Sequence, residues 1–251
     1  MSRSLDSKLV SYDSDGTVAR ILINRPDKRN SINKDVGAGL AEAFRRYAAS
    51  DERCAIIAGA GDLAFSSGLD FNDPPEATWN NYPGYRHDIG KPIIAAVSGH
   101  CMGAGLVIAA HCDLIVATES AEFSFPEGQL GRLGGAVSGL FTRVPARLAA
   151  EMVLLGAPVS AERAFHGGLV NRVVAQGEHL AVAAQWAARI SSMAPLVVKG
   201  CKVFLDDVLK QNGYERALPF LRILDDIQSS EDAQEGPAAW KARRAPVFRG
   251  K

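Results

Sequence analysis

The chain has 251 residues, 47% hydrophobic and 22% charged, enough to bury a sizeable core in one large domain or one domain with an appendage. Its 28 basic and 28 acidic residues cancel, which excludes a summed positive field of the kind that gathers nucleic acid or an anionic membrane; an anionic ligand needs a local site. The start "MSRSLDSKLVSYDSDG" lacks the apolar stretch of a signal peptide, no apolar run approaches membrane-spanning length, and Cys54, Cys101, Cys112 and Cys201 form no C-x-x-C pair. The expectation is a cytoplasmic protein with reduced thiols and no metal site.

In chain order, "VARILINRP" clusters aliphatic and β-branched residues up to Pro26 and predicts a strand after the turn "DSDG". A helix is predicted from Ser31 or Asn33, with apolar positions at Val36, Leu40, Ala43, Phe44 and Tyr47. "CAIIAGA" reads as a second, buried strand, followed by the glycine-bearing turn "FSSGLDF". Residues 71–90 are polar and broken by prolines, so a loop is expected. "KPIIAAVSG", "DLIVATES" and "AEFSF" read as three further strands, with a helix between the first two supplied by "GHCMGAGLVIAAHCDL". This order implies an α/β fold with mostly parallel, doubly covered strands. From about Ala146 the chain reads as helical, and three helices are expected after Pro195. A boundary near Met193 to Pro195 divides a core, residues 1–193, from a helical region, residues 194–251.

The glycine-rich stretch at residues 99–114 admits three readings. A P-loop requires Lys and Ser/Thr after its last glycine, and a dinucleotide fingerprint requires G-x-G-x-x-G; Gly99, Gly103 and Gly105 supply neither pattern. What remains is close helix–strand packing or a helix N-terminus presenting free N–H groups to an oxygen that gains charge. A second glycine turn, at Gly68, offers another free N–H, from Leu69, and two converging donors would form an oxyanion hole.

These segments, "NRPDKRNSIN", "AFSSGLD", "KPIIAAVSGHCMGAGLVIAAHCDLIVATESAEFSFPEGQLG", "GLVNRVV" and the ending "SSEDAQEGPAAWKARRAPVFRGK", resemble in order the enoyl-CoA hydratase/isomerase, or crotonase, family across nearly the whole chain. The resemblance implies a crotonase-like spiral of repeated strand-strand-helix turns, closed by a helical C-terminal region that packs homotrimers, often paired as hexamers. It implies an acyl-CoA substrate, no cofactor beyond the coenzyme A carried by that substrate, and an enolate oxygen held by the main-chain N–H groups of Leu69 and Ala104, on the turns of Gly68 and Gly103. Lys28 and Arg29 are the implied phosphate contacts, and Trp240 and Arg243 the C-terminal residues that reach a neighbouring subunit's nucleotide.

The resemblance also implies two carboxylates. One is kept as Glu127 in "FSFPEGQLG"; the other position holds Val107. A single retained carboxylate suits double-bond isomerisation, in which one base removes a proton at one carbon and returns it at another. The alternatives are a hydratase, or another lyase or hydrolase of this fold, whose second group comes from His87 or Asp88 in the 71–90 loop, and a catalytically idle CoA-binding protein. Asp70 is expected to orient the turn bearing Leu69, and Asp113 to tie the following strand into the fold.

Overall fold

The computed structural model describes residues 6–7, 9–76, 81–84, 89–210, 225 and 228–249. Two sheets carry the architecture. The larger has seven strands, in the order β1 (Asp6–Ser7), β2 (Val10–Ser14), β3 (Val18–Ile23), β4 (Cys54–Gly59), β6 (Ile93–Val97), β8 (Leu114–Thr118) and β11 (Arg172–Val174). The smaller has four, in the order β10 (Val159–Ser160), β9 (Glu122–Ser124), β7 (His100–Met102) and β5 (Ala64–Ser66). Successive strands alternate between sheets: β4 then β5, β6 then β7, β8 then β9. That alternation is the spiral of strand-strand-helix turns.

The composition of the central strands explains why both their faces are covered. In β4, Ala55 and Ile57 face a core shared with Phe65, Cys101 and Phe123 of the small sheet, while Cys54, Ile56 and Ala58 face a second core. The same period-two division places Ile93, Ala95 and Val97 of β6 in the first core and Ile94 and Ala96 in the second. The second core is closed by Val182, Ala183 and Ala187 of α5 (His179–Ser191). Unbroken runs such as "CAIIAG" and "IIAAV" are therefore parallel strands buried on both sides.

Helix α1 (Lys34–Ala48) starts at Asn33, whose side chain accepts from Val36 N–H at 3.0 Å, and buries Val36, Leu40, Ala43, Phe44 and Tyr47 as the spacing predicts. The stretch expected to be one helix between two strands is instead β7 followed by α2 (Ala104–His111). Three residues show no readable periodicity, and it is pairing with β5 and β9 that makes His100–Met102 a strand. Strands β1, β2, β10 and β11, none of them read from the sequence, are likewise specified by their partners. Helices α3 (Ala146–Leu155) and α4 (Ala161–His166) follow the expected pattern. Of the three helices expected after Pro195, the first is α6 (Pro195–Lys210) and the third is α7 (Glu231–Lys241); of the second only residues 225, 228 and 229 are described, and these are helical.

A buried charge cluster fastens α6 to the sheet. Lys202 Nζ lies 2.8 Å from Asp113 Oδ1 and 2.5 Å from Asp206 Oδ1, and Asp113 Oδ2 accepts from Ile93 N–H at 2.8 Å. Burial works against the ammonium charge, but the two carboxylates outweigh it and raise the Lys202 pKa. Removing the cation would leave Asp113 buried without its counter-charge. Lys202→Met is therefore expected to cost about 3–5 kcal/mol of folding stability, against less than about 1 kcal/mol for Glu42→Gln in the exposed Arg45–Glu42 pair, as read from urea unfolding midpoints. A Lys202→Met loss no greater than that of Glu42→Gln would show that the cluster does not anchor α6.

Candidate active site

Three neighbouring parallel strands of the small sheet, β5, β7 and β9, deliver the candidate groups from their carboxyl ends. Ser66 leads to Gly68 and Leu69, Met102 to Gly103 and Ala104, and Ser124 to Pro126 and Glu127. The register pairs Met102 with Ser124, and Gly103 N–H donates to Ser124 O at 3.0 Å, so the second and third turns leave the sheet side by side. Gly68, Leu69, Gly103, Ala104, Val107 and Glu127 all line one cavity of about 340 Å³.

The Leu69 turn is held from outside the small sheet. Ile32 N–H donates to Gly68 O at 2.8 Å and Asp70 N–H donates to Ile32 O at 2.9 Å. Residues on either side of Leu69 thus pair with Ile32, and alternation along the strand turns the Leu69 N–H the other way. Asp70 performs the expected orienting role: Arg25 Nη1 donates to its Oδ2 at 2.8 Å and also to the Ser31 hydroxyl at 2.8 Å. Asn30, which the sequence reading did not single out, is fully buried; it accepts from Arg25 N–H and donates to the Ala60 and Ala64 carbonyls. Its side chain stitches the "NRPDKRNSIN" loop to the strand that ends at the Leu69 turn.

The glycines of the second turn divide the two surviving readings. A Cβ on Gly105 would come within 2.7 Å of Ser66 O, so this residue makes room for helix α2 against β5. Gly103 is different. Its φ of +51° disfavours other residues, and a Cβ there would stand 2.6 Å from Glu127 Oε1. The carboxyl group of Glu127 lies over the backbone that begins α2. Ala104, the first residue of that helix, has an N–H beyond the reach of intrahelical pairing, and the corresponding Cβ position of Gly68 is 3.4 Å from Ala104 N. Among the described hydrogen bonds, neither the Leu69 nor the Ala104 N–H donates to a protein acceptor.

Glu127 is the second residue of the short 3-10 helix Pro126–Leu130, whose αL cap at Gly131 donates back to Glu127 O. Among the described residues its Oε2 is buried without a hydrogen-bond partner. Burial pushes its pKa up to about 8, so the group is poised to hold or release a proton near neutrality. Across the cavity Val107 is 5% exposed and supplies only methyl groups. Below it, the half-buried His111 donates from Nδ1 to the Val107 carbonyl at 2.8 Å and stacks on Tyr82 at 6.0 Å. Burial, with help from Arg143, drives the His111 pKa down to about 3, leaving a neutral imidazole.

The remaining candidates lie apart from this cavity. Lys28 and Arg29 are exposed on the turn Pro26–Lys28 and its αL cap. Trp240, 62% exposed, and Arg243 are at the end of α7. None of the four lines the cavity of Glu127. His87 and Asp88 lie outside the described residues. Individual wall residues that sequence reading missed are Phe71, Tyr82, Arg132 and Leu133, which come from non-periodic loop segments. Cys54, Cys101 and Cys112 are buried thiols as expected, whereas Cys201 is exposed on α6.

Leu69, Ala104 and the desolvated carboxyl group of Glu127 are thus brought to the wall of one cavity. Residues 13–251 match the family described as enoyl-CoA hydratase/isomerase, and the chain belongs to that family. A carnitinyl-CoA dehydratase from Salmonella typhi is 34% identical over 252 residues, covering 94% of this chain and 96% of its own length. A crystal structure of a carnitinyl-CoA hydratase from Mycobacterium avium superposes with a TM-score of 0.88 at 33% identity, covering 97% of this chain and 99% of that one. An enoyl-CoA hydratase/isomerase from Pseudoalteromonas atlantica gives a TM-score of 0.86 at 28% identity over 96% of this chain and 100% of that one.

The raised Glu127 pKa has a consequence for folding. Between the ordinary value of 4.5 and about 8 the folded chain holds a proton that the unfolded chain has lost, so stability falls as pH rises through this window. Glu127→Gln is expected to remove that slope, about 1.4 kcal/mol per pH unit, and to be more stable than the natural protein at alkaline pH. Denaturant titrations at pH 5 to 8.5 measure it; parallel curves for the two proteins would refute the desolvated state of Glu127.

Proposed function

We propose that the protein transforms an acyl-CoA thioester through an enolate held by the Leu69 and Ala104 N–H groups, with Glu127 as the single acid/base, and that its reaction is enoyl-CoA double-bond isomerisation. The observation that carries this reading is the pairing of a buried carboxyl at Glu127 with the methyl-only wall at Val107. The Glu127 carboxylate takes a proton from C2 of a β,γ-enoyl thioester, and the electron pair moves through the carbonyl to its oxygen. The extended enolate then collapses with a C2–C3 double bond as the same carboxyl returns the proton at C4. By precedent, one oxyanion-hole donor is worth about 3–4 kcal/mol in the transition state, and one positioned acid/base about 10²–10⁴-fold. The coenzyme is proposed to meet Lys28 and Arg29, with Trp240 and Arg243 reaching a neighbouring subunit's nucleotide. The exposed apolar side chains of α6, Leu196, Val197 and Phe204, support a trimer or a hexamer.

Hydration or dehydration is the second reading, favoured by the relatives named carnitinyl-CoA dehydratase and carnitinyl-CoA hydratase. Here Glu127 would deliver or remove the C2 proton, and water would be oriented by a group other than residue 107. Protonation separates the two readings. Isomerisation of a 3-enoyl-CoA starts from the carboxylate, so kcat/KM rises with pH up to about 8; hydration of a 2-enoyl-CoA starts from the acid, so kcat/KM falls above about 8. Both activities are measured on matched 3-enoyl and 2-enoyl thioesters, and dehydration on carnitinyl-CoA, a 3-hydroxyacyl thioester. The expected result is 3-enoyl turnover with the rising limb, lost about 10²–10⁴-fold in Glu127→Gln, and no hydration until Val107→Glu introduces it. Undiminished turnover in Glu127→Gln would remove Glu127 from the mechanism, and hydration by the natural protein with the falling limb would establish the second reading. Tight CoA binding with no exchange of the C2 proton into heavy water would instead identify an idle CoA-binding protein.

A further inference from the structure

Arg132 stands where the catalytic cavity meets a second, larger one. The second cavity, about 920 Å³, is lined mainly by apolar side chains, among them Phe141, Val153, Leu154 and Phe248. The two share Phe125, Arg132, Leu133 and Val137. Arg132 is tied to the catalytic carboxyl through the main chain, since its N–H donates to Glu127 O at 3.1 Å. Gly131, before it, packs against the Asp232 carbonyl near the start of α7, so the turn that carries Arg132 is held between two elements.

The guanidinium Cζ of Arg132 lies 5.6 Å from the centre of the Phe71 ring, within cation–π range. Among the described residues Arg132 is the only cation lining either cavity, and no carboxylate forms an ion pair with it. The acids nearby are otherwise placed: Glu76 is exposed at the rim, Asp232 accepts from Arg249 N–H at 2.7 Å, and burial keeps Glu127 protonated at neutral pH. The walls between are Val107, Phe125, Leu133, Ala136 and Val137. A wholly apolar acyl chain filling this space would offer the Arg132 cation no acceptor.

We propose that Arg132 selects the acyl group: the substrate is the CoA thioester of a dicarboxylic acid, its apolar middle against Leu133 and Val137 and its distal carboxylate on the Arg132 fork. This rests on the acyl-CoA reading of the site. A planar guanidinium meets a carboxylate with two parallel N–H donors, whereas a methyl end gains nothing and a quaternary ammonium end is repelled.

Binding and turnover test the two levels separately. Calorimetry with unreactive saturated thioesters of equal length, one ending in carboxylate, one in methyl and one in quaternary ammonium, is expected to rank them in that order, with carboxylate over methyl by about 10- to 100-fold. Arg132→Gln is expected to abolish the carboxylate preference, and Arg132→Lys to keep part of it. The residue is exposed, so both variants are expected to fold, which circular dichroism checks. Equal affinity for carboxylate and methyl ends, a preference for the ammonium end, or a carboxylate preference that survives Arg132→Gln would overturn the proposal. A charge preference that depends on Arg132, with no Glu127-dependent turnover of any enoyl thioester, would overturn the isomerase reading and leave this one standing.

Discussion

The approach of the Glu127 carboxyl to the backbone of Gly103 is the constraint on which the site depends. A carboxyl oxygen occupies space that the Cβ of any other residue at position 103 would need, 2.6 Å away. The approach is possible because β7 and β9 run parallel and in register, with Met102 opposite Ser124, and because Gly103 N–H is spent on Ser124 O. Turning the chain at Gly103 then leaves the Ala104 N–H at the head of α2 close to the carboxyl group. One backbone conformation thus serves two purposes: it makes room for the acid and it frees the donor.

The electrostatics follow from the same packing. Between β9 and α2 the Glu127 carboxyl has lost water without gaining a hydrogen-bond partner at Oε2 among the described residues, which favours the neutral form. A carboxyl raised in this way is a stronger base once ionised and still a usable acid near neutrality. Val107 adds hydrocarbon to the wall of the same cavity, so desolvation and not a neighbouring negative charge raises the Glu127 pKa. His111 does not offset it, being neutral and bound to the Val107 carbonyl.

How much of this was legible in the sequence depended on the range of the interactions involved. Asn33 as a cap and the apolar stripe of α1 are local and were readable. So were β4 and β6, whose continuous apolar runs require cover on both faces. Strand β7 was not, because three residues carry no period and their extended form is imposed by partners on two sides. The glycine turns could be singled out, and their resemblance to a family named Leu69, Ala104 and Glu127. Nothing local indicated that Gly105 serves packing while Gly103 serves the carboxyl, since that distinction lies in which atoms approach from other strands. Asn30 escaped notice for the same reason: its partners are Ala60 and Ala64, distant in sequence.

The site is also built on supports of unequal stiffness. The donors and the acid leave adjacent strands, and the Leu69 turn is fixed again by Ile32 and by the partly buried Arg25–Asp70 pair. The other walls of the cavity have different origins: Phe71, Pro75 and Tyr82 come from the proline-broken segment, Arg132 and Leu133 from the turn after Glu127, and Val137 from the 3-10 helix Gly135–Thr142. Loop segments have few main-chain bonds to keep their positions, so a substitution there can change the volume and charge of the wall without moving the donors. The positions of Leu69, Ala104 and Glu127 are thus set by sheet register, which tolerates little change. The lining of the cavity around them is set by side chains such as Arg132 and Leu133, on segments that tolerate much more. A site organised this way can keep the arrangement of its backbone donors and carboxyl group while the shape and charge of its wall change.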